Sequence, residues 1–412
     1  MNLKEFITNP IELEYFEGLL SQLNEKKEQL RIATPENDTG VYPTAIAPRE
    51  LMRRELPFYS YEDIKQRYST KEIVDCTLWL RKMHGGLGSS LDRSEYLKKY
   101  GRTTPGSKST DLYIETKEFG DISLAEAQII QASKKTSSFK KVVLQDLVNN
   151  DVKPILDKMW EKHSHLLSEN FSRLESVVQQ KLPTIKDGKL STERLAPAGH
   201  GIFGYEVFKG PRPCGDNIVA CIGNGEDLSS TPDRAIVNWM LTENIPVVMV
   251  TTTKTDRDMK GGQIALKVEG DKTFLTIVEK AQAEQAGQLD YFEKLGLREE
   301  DDDAFFNTNL VLINFSALGN YEITLPDLIK NQKGEFVQLE GAMGSVLLNS
   351  DRLARAQGKK LVHILNVNKE NRAKFFNPIK KMNDFDYILS NSKLDENIFH
   401  FNTIYKNNGN NQ

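Results

Sequence analysis

The 412-residue chain is short of several things, and each shortage excludes a class of protein. It has three cysteines, Cys76, Cys214 and Cys221. That is too few, and an odd number, for a disulfide framework, so a reducing, cytoplasmic setting is expected. It has no basic excess: 54 Lys and Arg stand against 58 Asp and Glu, for a net charge of −4. No dense basic stripe marks a nucleic-acid partner either. No run of about 18 apolar residues exists, so no membrane-spanning helix is expected. Charges fall in Met1-Asn2-Leu3-Lys4-Glu5-Phe6, where a signal peptide needs an apolar core. Internal repeats are missing. His200 has no second His or Cys at zinc-ligand spacing, and His163-Ser164-His165 reads as surface on a polar helical stretch. The remainder, 39% apolar and 27% charged, suits a soluble globular protein with a full core. Its length predicts two or three domains.

Along the chain, Leu13, Phe16, Leu19, Leu20 and Leu23 recur at three and four residues, which predicts a helix between about Leu3 and Leu30. Tyr61 to Tyr68 reads as a second short helix. From Ile73 the texture changes to short apolar runs alternating with amphipathic segments. Expected strands are Cys76–Met83, Lys141–Leu144, Ile218–Ile222, Pro246–Thr251, Ile264–Val268, Thr273–Val278, Leu310–Asn314 and Leu361–Leu365. Expected helices are Leu124–Ser133, Val152–Trp160, Pro232–Glu243, Asp290–Leu295 and Asp351–Ala356. This alternation predicts an α/β fold with a mainly parallel sheet. Ligands of such sheets bind outside the carboxyl ends of the strands. The acidic run Glu299 to Asp303 reads as a solvated loop, and the Asn-rich end from Asn407 as a tail without core-forming residues.

The loops after the strands are therefore where chemistry is sought. Met83-His84-Gly85-Gly86-Leu87-Gly88-Ser89 follows a strand, and glycines let a backbone approach and cradle phosphate. It is neither a Walker A loop nor a G-x-G-x-x-G fingerprint, so a plain turn stays open beside a phosphate loop. Lys108, behind Pro105-Gly106, can reach polyphosphate as a point charge. Glu226 and Asp227 follow a buried strand and Gly223-Asn224-Gly225. They can hold a hard cation beside phosphates, or Asp227 can cap the helix near Pro232. Pro197-Ala198-Gly199-His200-Gly201, Lys260-Gly261-Gly262, Phe306-Asn307-Thr308-Asn309, Leu339 to Gly344 and Phe376 to Lys380 are, one at a time, ordinary turns.

Taken in order, these loops resemble the UDP-glucose pyrophosphorylase family (UTP–glucose-1-phosphate uridylyltransferases). That family's L-N-G-G-L-G-T matches Met83 to Ser89 with His84 in place of Asn, and its G-P-K-S is similar to Gly106 to Ser109. Its P-P-G-H-G, N-S-D-N-L, K-G-G and F-N-T-N-N match Pro197–Gly201, Asn224–Leu228, Lys260–Gly262 and Phe306–Asn309. Its L-E-T-A-A-G and F-L-P-V-K are similar to Leu339–Gly344 and Phe376–Lys380. The resemblance implies a glycosyltransferase-A-like, Rossmann-type nucleotidyltransferase core over residues 71–390. A helical region, 1–70, would pack on that core, and a short tail, 391–412, would follow it. It also implies Mg²⁺-dependent transfer of a uridylyl group from UTP to glucose 1-phosphate, giving UDP-glucose and pyrophosphate.

By position, Gly85, Gly86 and Gly88 would wrap the nucleotide, with Gln179 and Gly199 reading the uracil edge and His200 beside them. Asn224, Gly262, Asn307 and Glu340 would line the sugar side. Lys108 would neutralise the leaving pyrophosphate, and Lys380 would sit on the sugar phosphate and the α-phosphate. Three departures stand out. The family's metal-binding Asp falls on Glu226, with Asp227 in the following position. Leu91 to Thr104 is inserted before Lys108. Only 22 residues follow Ser390, so the C-terminal β-helix domain of eukaryotic members is expected to be absent. Another sugar 1-phosphate, such as an N-acetylhexosamine, is one alternative. A nucleotide-sugar-binding regulator without turnover is the other.

Overall fold

A computed structural model describes residues 3–25, 58–85, 91–102, 105–116, 118–253, 255, 258, 262–269, 272–279 and 305–390. All eight expected strands are present among them, and of the expected helices only Asp290–Leu295 lies outside the described residues. The Glu299–Asp303 run and the Asn-rich tail lie outside them too. The chain divides into two compact units. One comprises Met1–Tyr68, Gln179–Cys214 and Trp239–Lys369; the other comprises Ser69–Val178, Gly215–Asn238 and Glu370–Gln412.

In the second unit, Ile218–Asn224, Val74–Met83, Phe139–Asn149 and Phe171–Arg173 lie side by side, all parallel. Val74–Met83 is buried along nearly its whole length, as a strand covered on both faces must be. Met83 stands opposite Asn224 on one side and Leu147 on the other, so three strands finish level and their loops leave one edge. Helix Leu124–Lys134 starts on a capping box: Ser123 Oγ accepts from Glu126 N at 3.2 Å, and Ser123 N donates to Glu126 Oε2 at 2.8 Å. Its apolar face joins Leu112, Ile122, Leu228, Ile379 and Phe385 in a core cluster. His163, read as surface, is instead buried, with Nε2 3.2 Å from Glu126 Oε1.

In the first unit, Phe58–Ser60, Val362–Val367 and Val247–Thr252 run parallel, and Phe306–Asn314 joins antiparallel. The segment Gly262–Glu269/Lys272–Glu279 is a hairpin. The sheet strands are thus mixed and mainly parallel, flanked by helices, as expected. A separate four-stranded antiparallel sheet, ordered Ile329–Lys333, Phe336–Glu340, Leu182–Lys186, Lys189–Ala196, was not expected. Helix Pro10–Glu25 buries Tyr15, Phe16 and Leu19, while Leu13, Leu20 and Leu23 are only half-buried. Asn9 Oδ1 caps it, accepting from Ile11 N at 2.9 Å.

Candidate active site

In the second unit, loops from neighbouring parallel strands converge. Gly225 N donates to Met83 O at 2.9 Å, clipping the Asn224–Leu228 loop to the root of the Gly-rich loop. Asn149 Nδ2 holds Gly85 O at 2.9 Å from the third strand. Gly86 and Gly88 lie outside the described residues. Lys108 opens a short helix, Lys108–Asp111, and its Nζ donates to Glu226 Oε1 at 3.1 Å and to Ile379 O at 2.6 Å. An ammonium has three N–H bonds, so the protein takes two and one is left for a ligand. Lys380 comes next to that same Ile379, which is anchored in the core beneath the loop. The backbone N–H groups of Lys380 and Lys381 both donate to Asp384 Oδ2, at 2.9 and 2.8 Å. An exposed lysine is thereby carried on a backbone fixed on both sides.

The two acids differ. Asp227 is fully buried and saturated: Oδ1 accepts from the Ser229 amide at 3.0 Å and from the Ser229 hydroxyl, and Oδ2 accepts from Asn377 N at 2.9 Å. It ties the Asn224–Leu228 loop to the one carrying Lys380. Burial pushes its carboxyl up, against these hydrogen bonds. Glu226 is 20% exposed. Burial would raise its carboxyl as well, but the Lys108 ammonium, seconded by Lys380, holds it below the ordinary range. The result is an ionised carboxylate paired with Lys108 and within the field of Lys380, a group with net positive charge suited to phosphates. A hard divalent ion takes such a carboxylate together with phosphate oxygens and water, so Glu226 fits Mg²⁺. No gathering of three or more His, Cys, Asp or Glu exists among the described residues. Asn224 ends its strand in this same unit, with its backbone N–H donating to Ser230 Oγ at 3.1 Å.

Two features of this unit escaped sequence reasoning. The inserted segment clamps the Lys108 helix: Arg93 and Arg102 reach buried Asp111 at 3.2 and 2.6 Å, and the Tyr100 and Tyr113 rings stack at 3.7 Å. Beneath the Asn224–Leu228 loop, Lys82 is 1% exposed and donates to Ser230 O, while Lys135 Nζ reaches Pro232 O at 3.2 Å. Basic residues in the insertion were the available signal for the first. A lysine inside an apolar strand, Leu78 to Met83, was the signal for the second.

The first unit carries Gln179, Gly199, His200, Gly262, Asn307 and Glu340. The small antiparallel sheet delivers several of them: Lys189–Ala196 leads to Gly199, and Phe336–Glu340 ends on Glu340. Gly199 has φ +78, and a Cβ there would meet Gly341 O at 2.6 Å. Gly201 N donates to Gly341 O at 2.8 Å, and Gly341 N to Ala198 O at 3.0 Å, so the loops lock together. Gln179 Nε2 donates to Gly199 O at 2.7 Å. His200 Nδ1 accepts from Met343 N at 3.1 Å, satisfying the first amide of helix Met343–Ala356. Glu340 accepts from Asn331 Nδ2 at 3.0 Å, and burial pushes its carboxyl up. Asn307 Nδ2 donates to Asn309 Oδ1 at 2.9 Å. Gly262 begins a hairpin strand; Lys260 and Gly261 lie outside the described residues.

Comparison with known proteins gives this arrangement its relatives. The family profile described as UTP–glucose-1-phosphate uridylyltransferase matches residues 49–405. The Saccharomyces cerevisiae UTP–glucose-1-phosphate uridylyltransferase is 26% identical over 318 residues, 71% of this chain and 57% of that protein. The Hordeum vulgare enzyme of the same name is 25% identical over 347 residues, 80% of this chain and 64% of that one. The chain thus spans between one half and two thirds of those relatives' length. In three dimensions, UDP-glucose pyrophosphorylase from Leishmania major superposes with a TM-score of 0.61 at 19% identity, covering 91% of this chain and 75% of that one. That likeness concerns the fold, and the sequence match supplies the lineage: the chain belongs to the UTP–glucose-1-phosphate uridylyltransferase family.

Proposed function

We propose that the protein transfers a uridylyl group from UTP to glucose 1-phosphate, releasing pyrophosphate and UDP-glucose. The observation that carries this reading is the Lys108–Glu226–Lys380 group, built from three separate loops of one unit. An oxygen of the sugar phosphate attacks the α-phosphorus of UTP, and the bond to the bridging oxygen of the β-phosphate breaks in line. No covalent enzyme intermediate is required, so the protein's work is positioning and charge neutralisation. Lys380 meets the sugar phosphate and α-phosphate; Lys108 meets the departing pyrophosphate. Glu226 would hold Mg²⁺, which when bound supplies further neutralisation and orientation of the phosphate oxygens. Gln179, Gly199 and His200 would seat the nucleotide, with Asn224, Gly262, Asn307 and Glu340 toward the sugar. A cytoplasmic setting agrees with free Cys76, Cys214 and Cys221, and no described helix is long and apolar enough to cross a membrane.

The test is pyrophosphate release from UTP, glucose 1-phosphate and Mg²⁺. Release with glucose 1-phosphate supports the reading. Release only with an N-acetylhexosamine 1-phosphate moves the assignment to another sugar. UDP-glucose binding without release under any of these conditions makes the protein a regulator and overturns it.

A further inference from the structure

We propose that His84 is the positioning residue that sets the three phosphate-side loops of the second unit against one another, and that it can do so only because position 225 lacks a side chain. The inference rests on the proposed function for its activity readout alone.

His84 is the first residue after the central strand Val74–Met83 and is 2% exposed. Its backbone N donates to Leu147 O at 2.7 Å, and both ring nitrogens are occupied. Nε2 lies 3.4 Å from Asp146 Oδ1, and Nδ1 lies 2.6 Å from Ser109 Oγ. Asp146 is itself fixed, its Oδ2 accepting from Trp160 Nε1 at 2.7 Å with Arg173 at 3.7 Å. A carboxylate beside one ring nitrogen and a hydroxyl beside the other hold the ring in a single orientation, whichever nitrogen carries the hydrogen. Ser109 Oγ is in turn 2.7 Å from Ser107 Oγ. Ser107 and Ser109 flank Lys108, so the ring transmits the position of a rigid strand to the lysine proposed to meet pyrophosphate.

The third loop is engaged by shape. A Cβ built on Gly225 would stand 2.3 Å from His84 Nδ1, 2.6 Å from Cε1 and 2.8 Å from Met83 O. Gly225 is not among the residues with positive φ, so its backbone would accept a side chain. Space is what forbids one, and the imidazole takes most of it. The next residue is Glu226. In the family motifs above, His84 stands where Asn is usual and Gly225 where Ser is usual. The larger residue and the smaller one are neighbours in space, as an exchange of volume requires.

The test is a double-mutant cycle on the full chain with His84→Asn, Gly225→Ser and the pair, reading kcat, KM for UTP and Tm. Gly225→Ser alone should lower kcat about tenfold or more while KM moves less than about threefold, because the displaced groups face the reacting phosphates. His84→Asn alone should lower kcat by a similar factor, since Asn cannot span Ser109 and Asp146 together. The pair should exceed Gly225→Ser by about tenfold, because Asn lacks the Cε1 that would stand at 2.6 Å and its shorter side chain can turn away from the 2.3 Å contact, leaving only the Met83 O approach at 2.8 Å. If Gly225→Ser fails to fold, His84→Asn should restore folding. A pair equal to the product of the single losses, a Gly225→Ser protein as active as the parent, or no restoration of folding would overturn the proposal. Should the parent release no pyrophosphate at all, Tm still reads the coupling: the pair must melt above Gly225→Ser.

Discussion

In the second unit the candidate residues are charged and lean on one another: Lys108 on Glu226, Asp227 on Ser229 and Asn377, Arg93 and Arg102 on Asp111. In the first unit all but Glu340 are glycines, amides and an imidazole, and the loops that carry them lean largely on backbone: Gln179 on Gly199 O, His200 on Met343 N, Gly201 on Gly341 O. The carboxyls repeat the contrast. Ammonium and imidazole partners outweigh burial at Glu226 and Glu126 and pull them down, whereas burial wins at Glu12 and Glu340 and pushes them up. A set of groups that handles phosphate must hold several charges in a fixed array. A set that holds a base and a sugar needs matching shape and a few oriented neutral donors.

The comparison breaks most visibly at Asp111. Asp111→Ala would take the carboxylate from two arginines, Arg93 being 5% exposed, and remove the acceptor of Gly106 N at 2.9 Å. Removing one partner of a buried charge cluster costs about 3–5 kcal/mol. Urea unfolding should show that loss, and a variant as stable as the parent would mean that the inserted segment does not hold the Lys108 helix. Next comes Lys380→Ala. Its side chain is exposed, so Tm should stay near the parent's, while kcat falls by about 10²–10³, as when one donor to a developing charge is removed. Near-normal turnover would refute its role.

How far the sequence could be read follows the same division. Eight strands were legible because their apolar runs are short and bounded, whereas the three-residue strands Phe58–Ser60 and Phe171–Arg173 were too short to show a pattern, and the loops after the legible strands drew attention because parallel strands end in loops that carry sites. The motif order then pointed to Lys108, Glu226 and Lys380. What stayed hidden was supported by non-local partners. Lys189–Ala196 is polar and mostly exposed, so nothing periodic marked it, although Asp187-Gly188, with φ of 50 and 75, is a hairpin signal. His163 looked like surface because its partner, Glu126, is 37 residues away. The division of work between Glu226 and Asp227 depends on Asn377, 150 residues from Asp227. No local pattern announces such a contact.

The carboxyl contrast gives the third prediction, with opposite signs in the two units. Glu126 is displaced from 4.5 to about 2: burial would raise it, and His163, Lys162 and Ser123 together overcome that. Its folded value is depressed, so its contribution, about 3 kcal/mol, is present above pH 4.5 and lost as pH falls toward 2. Glu12 is raised by burial to about 7, against the Gln180 amide. Its folded value lies above the unfolded one, so stability is lost as pH rises from 4.5 to 7, again by about 3 kcal/mol. Unfolding free energies measured from pH 2 to 8 should lose the acid-side slope in Glu126→Gln and the slope between 4.5 and 7 in Glu12→Gln. A variant that keeps the parent's slope in its own window removes that carboxyl from the contrast.

The smallest expected effect is the sharpest test of what the first unit does. Gln179 donates from Nε2 to Gly199 O and keeps Oε1 for a ligand. Gln179→Ala removes one neutral hydrogen bond, about 1 kcal/mol, which is roughly fivefold in affinity. If these residues only fit the nucleotide, that factor belongs in KM for UTP, and kcat stays within about twofold. Gln179→Glu should cost more, because a carboxylate would face the Gly199 carbonyl with no hydrogen between two acceptors. A Gln179→Ala protein that loses turnover on the scale of Lys380→Ala would erase the distinction: the neutral side would then be aligning the α-phosphorus as well as holding the base.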